Sequence, residues 1–116
     1  MAKHLFILND PPYGTERSYN AVRLARTLLN AQQEARVFLM GDAASCAAAN
    51  QKVPQGYYNL GDMLGAVVRR NGEISVCGTC MDARGMADER LIEGARRGTM
   101  DILTEWTQWA DKVLVF

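Results

Sequence analysis

The chain predicts a three-layer α/β/α fold on a mainly parallel five-stranded sheet. Three observations carry this. Short apolar runs alternate with segments of helical periodicity along the 116 residues. Several runs, such as Leu5–Leu8 and Val113–Phe116, are apolar at consecutive positions, so both faces of the strand must be covered. Turn-forming clusters separate the segments, with no repeat, low-complexity tract or linker. At this length a single domain, residues 1–116, is expected.

In order, Leu5–Leu8 is the first strand, broken by the turn formers Asn9-Asp10-Pro11-Pro12-Tyr13-Gly14. Thr15 is placed to cap a helix with Glu16 in its first turn, and Ala21, Leu24, Ala25, Leu28 and Leu29 fall on one helical face. Ala35–Met40 is a second strand, ended by Gly41-Asp42. Residues 43–50 read as a short Ala-rich helix carrying Cys46, and 51–59 as an exposed loop holding two tyrosines. Leu60, Met63, Leu64, Val67 and Val68 form another helical stripe, stopped by Asn71-Gly72. Ile74–Cys77 is the third strand, a short helix falls within 77–83, and Gly85 ends it. A short fourth strand is expected at Arg90–Ala95. Gly98-Thr99 opens a last helix with Ile102, Leu103, Trp106, Trp109 and Ala110 on one side, and Val113–Phe116 closes the sheet. The tryptophan stripe reads as core or as subunit interface.

Thirteen basic residues balance thirteen acidic ones, which removes the electrostatic case for nucleic acid or an anionic membrane as partner. No apolar run approaches the roughly 20 residues that span a bilayer. The first residues lack a signal-peptide pattern, and an odd count of three cysteines does not suggest a disulfide framework. A cytoplasmic protein with reduced thiols is therefore expected.

In an open parallel sheet, ligands bind beyond the carboxyl ends of the strands. Three loops meet there: Asn9–Thr15, Gly41–Cys46 and Cys77–Arg84, so all three cysteines fall on one edge. Cys77 and Cys80 form a Cys-x-x-Cys pair with Gly78 and Thr79 between them. A helix start and the nearby Arg84 would help ionise such a thiol; the competing reading of Cys77 is a small buried core residue. Asn9, Tyr13 and Gly14 face the thiols across the edge, although Asn-Asp-Pro-Pro is also simply a turn. Gly14 belongs to no phosphate loop, and no feature asks for a nucleotide, a flavin or another cofactor. A structural metal needs about four ligands. The lone histidine, His4, begins the first strand at the opposite edge, so a self-contained metal site is not expected, leaving only one shared between subunits. Thioredoxin-like chemistry fits the Cys-x-x-Cys but not the strand–helix order, and no proline-bearing strand answers to its cis-proline loop.

The stretches "NDPPYGTERSYNAVRLA" at 9–25, "NLGDMLGAVVRRNG" at 59–72, "VCGTCMDARG" at 76–85 and "LTEWTQWADKVLVF" at 103–116 resemble the DsrE/DsrF-like family, in its YchN-like branch. The resemblance covers nearly the whole chain. It implies the same three-layer fold, assembly as trimers or hexamers, and sulfur carried as a persulfide on a cysteine at the end of the third strand, passed between donor and acceptor proteins. Cys77 occupies that position. Such carriers commonly have one cysteine there, whereas this chain adds Cys80, with Cys46 a further candidate to resolve a persulfide. Three functions follow: a sulfur relay on Cys77, a Cys77–Cys80 dithiol redox protein, or a small-ligand-binding assembly module with buried thiols.

Overall fold

The computed structural model describes all residues, 1–116. Five strands form one sheet: β1 (Lys3–Leu8), β2 (Glu34–Leu39), β3 (Glu73–Cys77), β4 (Ala95–Gly98) and β5 (Lys112–Val115), in the order β4-β3-β2-β1-β5. Every pairing is parallel, so the sheet is wholly rather than mainly so. Four α-helices connect it: α1 (Arg17–Asn30), α2 (Leu60–Arg69), α3 (Gly78–Ala83) and α4 (Met100–Trp109). Leu8 pairs with Leu39, Leu39 with Val76, and Cys77 with Gly98. The carboxyl ends of β1 to β4 therefore finish nearly level, and their loops share one rim.

The two faces of the sheet are unequal. Phe6, Leu8, Val37, Leu39, Ile74 and Val76 point toward α1 and α2 and belong to a cluster of 18 buried residues. On the other face the buried apolar cluster is only Leu5, Phe38 and Cys77, beneath α4, with the buried Ser75 beside them. That helix docks through half-buried side chains. Trp106 meets Phe38 edge-on at 6.2 Å, and the Arg36 guanidinium lies 3.9 Å from the ring centre of Trp109 while bonding Glu73. The tryptophan stripe thus packs against its own sheet, yet no residue of α4 is fully buried. Val113, Val115 and Met100 stay exposed on this face.

Four expectations shift. The fourth strand lies at Ala95–Gly98 and shares only Ala95 with the expected Arg90–Ala95. Leu91 and Ile92 instead tie to the Ala47–Ala49 segment, through a bridge to Ala48 and a hydrogen bond to the Ala47 carbonyl. Residues Gly41–Ala47 form a 3-10 helix, its Ala43, Ala44, Cys46 and Ala47 side chains packed into the large cluster. Thr15 stands one residue before the N-cap of α1, where its hydroxyl donates to Asp10 and accepts the Arg17 N–H at 3.4 Å, while Glu16 at the cap makes no side-chain bond. In α1 the buried residues are Ser18, Ala21, Val22 and Ala25, leaving Leu24 40% exposed. Asn59 and Thr99 cap α2 and α4, each accepting a backbone N–H three residues on.

β4 approaches β3 closely because residue 98 is glycine. A methyl there would collide with Ser75 Oγ, the one buried side-chain polar atom without a hydrogen-bond partner. Gly98→Ala is expected to destabilise by about 1–3 kcal/mol through overpacking. Ser75→Ala removes an unsatisfied hydroxyl and is expected to leave stability unchanged or raise it by about 1 kcal/mol. Chemical denaturation of the two single variants and the double variant checks this; the double variant should recover part of the Gly98→Ala loss.

Candidate functional site

Cys77 is the last residue of β3 and the N-cap of α3. The strand ends here because Gly78 turns the chain into the helix, which aims the backbone N–H of Cys80 back at the Cys77 sulfur, 3.3 Å away. Thr79 Oγ1 lies 3.4 Å from the same sulfur. The thiol is 9% exposed and opens into a cavity of about 230 Å³. Phe38, Met40 and Met100 supply its apolar walls, and Thr79, Arg97 and Thr99 its polar ones.

The two thiols of the pair differ. For Cys77, burial disfavours the thiolate and is the largest single influence, yet it is outweighed by hydrogen bonds from Cys80 and Thr79. The net effect holds Cys77 below the ordinary thiol range. Cys80 is pushed up, first by burial and then by its hydrogen bond to Cys77, with the Gly41 N–H and the Arg84 charge opposing. The two shifts run in opposite directions, down for Cys77 and up for Cys80.

Arg84 does not serve Cys77. Its guanidinium binds Asp42 at 2.8 Å and the Cys80 carbonyl at 3.1 Å, locking the end of α3 to the 3-10 helix. The arginine at the cavity is Arg97, on β4. It lies across Gly78, where a methyl would stand 2.8 Å from Nε, and it pairs with Asp82 at 2.6 Å and Asp88 at 3.4 Å. The Arg97 hydrogen bond holds the Asp82 carboxyl below its usual range. With two carboxylates bound, Arg97 is a fixed wall over the Cys77–Gly78 peptide rather than a free counter-charge. Phe38, Met40, Arg97, Thr99 and Met100 are absent from the residues singled out by sequence. The signal for Arg97 was its place just before Gly98-Thr99, visible only once β4 is set in register with β3.

The other candidates divide. Thr79, Gly78 and Cys80 gather around Cys77, and Gly41, at φ +55°, turns its amide toward Cys80. Cys46 does not join them. It belongs to the large cluster on the other face, is 0% exposed, and sits 3.7 Å from the Asp10 carbonyl, with burial pushing its thiol up to about 12. Asn9 ties the ends of β1 and β5 through the Phe116 carbonyl. Tyr13 bonds Gln51 and receives the Leu60 N–H, and Gly14 packs on Pro11, so both belong to the α1–α2 side. His4 lies at the opposite edge with Nδ1 3.0 Å from the Glu34 carbonyl, and no three of the His, Cys, Asp and Glu side chains converge. No helix is long and apolar enough to cross a membrane.

The thiol environments predict an order of reactivity. In the native state iodoacetamide should modify Cys77 first, Cys80 more slowly and Cys46 only after unfolding. The Cys77 rate should climb with pH and reach its plateau below the ordinary thiol value, because a lowered pKa fills the thiolate sooner. Peptide mass mapping of timed reactions across pH checks this.

The chain matches the model of the DsrE/DsrF-like family over residues 2–116. It is 39% identical to Protein YchN of Escherichia coli (strain K12), with 100% of each chain covered. It is 35% identical to the uncharacterized protein MJ0989 of Methanocaldococcus jannaschii, over 98% of this chain and 99% of that one. Among solved structures, the ychN protein from E. coli superposes with a TM-score of 0.94 at 39% identity, each chain covered in full. A protein of unknown function from Methanobacterium thermoautotrophicum, MTH1491, gives a TM-score of 0.77 at 12% identity over 97% of each chain, a likeness of fold alone. With a family model spanning almost every residue and full-length relatives at this identity, the chain belongs to the DsrE/DsrF-like family.

Proposed function

We propose that this chain is a cytoplasmic sulfur-relay protein that carries sulfane sulfur as a persulfide on Cys77. The observation that carries the reading is the Cys77 sulfur itself. It accepts the Cys80 N–H, lies beside the Thr79 hydroxyl and faces a cavity with room for another sulfur. In the loading step the Cys77 thiolate attacks the terminal sulfur of a donor persulfide. A new S–S bond forms, the donor's S–S bond breaks, and the donor leaves as a thiolate with no net oxidation. An acceptor protein's thiolate then attacks the outer sulfur on Cys77 and restores the Cys77 thiolate by the same exchange. The amide and hydroxyl that face the thiolate are placed to face the persulfide anion as well, and the apolar walls limit water around it.

Loading with inorganic polysulfide and intact-mass measurement tests this. Wild type and Cys80→Ser should each gain one sulfur, removable by a reductant, and Cys77→Ser should gain none. A Cys77→Ser variant that loads like wild type overturns the reading.

A second reading has one specific observation behind it: the helix start that sets Cys80 one turn from Cys77, with its N–H on the Cys77 sulfur at 3.3 Å. In a dithiol redox protein Cys77 and Cys80 lose two electrons and two protons together to a disulfide acceptor. The same proximity serves the relay if Cys80 attacks the inner sulfur of the persulfide. That step expels hydrosulfide and leaves a Cys77–Cys80 disulfide, which an external dithiol must reduce. Loss of Cys80 separates the readings, since it abolishes redox cycling and spares loading.

The Cys77 face also supports assembly with further copies of the chain. Val115 is 66% exposed, Met100 63% and Val113 42%, all beside a helix with no buried residue. A trimer or hexamer that covers this face would roof the Cys77 cavity, and sulfur donor and acceptor proteins would enter at the remaining rim. Light scattering should give an oligomer for wild type and a smaller species for Val115→Asp; unchanged mass argues against assembly through this face.

A further inference from the structure

All four tyrosines of the chain meet in one place, on the face of the sheet opposite Cys77. Tyr58 is the hub. Its ring centre lies 4.1 Å from that of Tyr19, 5.6 Å from Tyr13 and 6.3 Å from Tyr57, with interplanar angles of 29°, 35° and 23°. The rings and Gly56 and Glu16 border an open cavity of about 540 Å³. The segment that carries Tyr57 and Tyr58 is anchored: Asn59 bonds the Gln51 carbonyl and caps α2, and Tyr13 holds both Gln51 and the Leu60 amide.

Tyr19 and Tyr58 pack against the large core cluster, but the core makes no use of Tyr57. Tyr57 is 64% exposed, a large aromatic surface held in water. Glu16 is the only charged residue on the cavity wall and takes part in none of the chain's ion pairs. Its charge reaches the cluster, where, after burial, it is the next influence raising Tyr58. One ring already accepts a cation, since the Arg23 guanidinium lies 5.3 Å from the centre of Tyr19.

We propose that the Tyr13–Glu16–Tyr57–Tyr58 cavity is a second binding site, independent of Cys77, that takes a flat organic cation. The electrostatics select the charge: phenol faces and a lone carboxylate both attract a cation and repel an anion. The ring geometry selects the shape. A box for a rounded ammonium needs walls that turn toward one another, whereas each neighbouring ring is tilted from Tyr58 by no more than 35°, an arrangement that adds a flat guest to an existing stack. The chemical class is a positively charged nitrogen heteroaromatic, stacked on Tyr57 and Tyr58 with its charge toward Glu16.

The test uses three probes on the intact protein: N-methylquinolinium, flat and charged; quinoline at mildly alkaline pH, flat and neutral; and tetramethylammonium, charged and not flat. Binding is followed by NMR shifts of the tyrosine ring protons. N-methylquinolinium should shift the Tyr57 and Tyr58 signals and bind about tenfold tighter than either other probe. Glu16→Gln and Tyr57→Ala, both at exposed positions, should each weaken it about tenfold while far-UV spectra stay unchanged. No shift at millimolar probe, or shifts unaffected by either substitution, overturns the site. Equal binding of quinoline overturns the assignment of charge, and equal binding of tetramethylammonium that of shape. Sulfur loading of Cys77 should proceed unaltered in both variants, so this proposal and the relay reading fail separately.

Discussion

A parallel sheet cannot join neighbouring strands by a tight turn, and that constraint organises this molecule. Each strand must end on the same rim, cross a face as helix, and begin again at the opposite rim. The carboxyl ends of β1 to β4 therefore finish together, and everything chemically distinctive in the chain lies in the segments that follow them. This placement sets Cys77 at the last rung of the β3 ladder, opposite Gly98, and at the N-cap of α3. At the junction its sulfur takes the place of a capping oxygen and receives the Cys80 N–H.

The second consequence is asymmetry between the faces. Two long helices and a 3-10 helix seal one side over a core of 18 residues, while α4 covers the other over three. The thin side is where the Cys77 cavity opens and where Val113 and Val115 remain exposed. The relay proposed for Cys77 needs an accessible thiol, which a fully sealed second face would deny. The cation–π and edge-on contacts of Trp109 and Trp106 hold α4 with little buried area, and the cavity persists beside its first residue.

Most of the fold was legible because periodicity is local. The α2 and α4 stripes, the apolar β1 and β3 and the start of the last helix at Gly98-Thr99 read directly, whereas the Asn59 cap of α2 did not. β4 did not, for a physical reason. Its sequence, Ala95-Arg96-Arg97-Gly98, has no apolar alternation because it is an edge strand with exposed arginines. The neighbouring Leu91 and Ile92 look like a strand because they are apolar, yet they pack on the large cluster as a loop. Leu24 misled in the same way: the apolar stripe of α1 is centred on smaller residues that fit closer to the sheet. Misplacing β4 also hid Arg97, whose position across Gly78 depends on a strand pairing formed between residues about twenty apart in sequence.

By itself the sequence determined the α/β class, the family, the rim on which the loops gather and the pairing of Cys77 with Cys80, because each rests on local pattern or on spacing within one turn. Only the tertiary structure decided that the Cys77 sulfur receives the Cys80 N–H, that Cys46 is sealed on the far face, that Arg84 locks a helix end while Arg97 walls the cavity, and that four scattered tyrosines form one cluster. These depend on which side of the sheet a residue faces and on what another strand brings beside it. Such relations arise from long-range packing, and no local pattern encodes them.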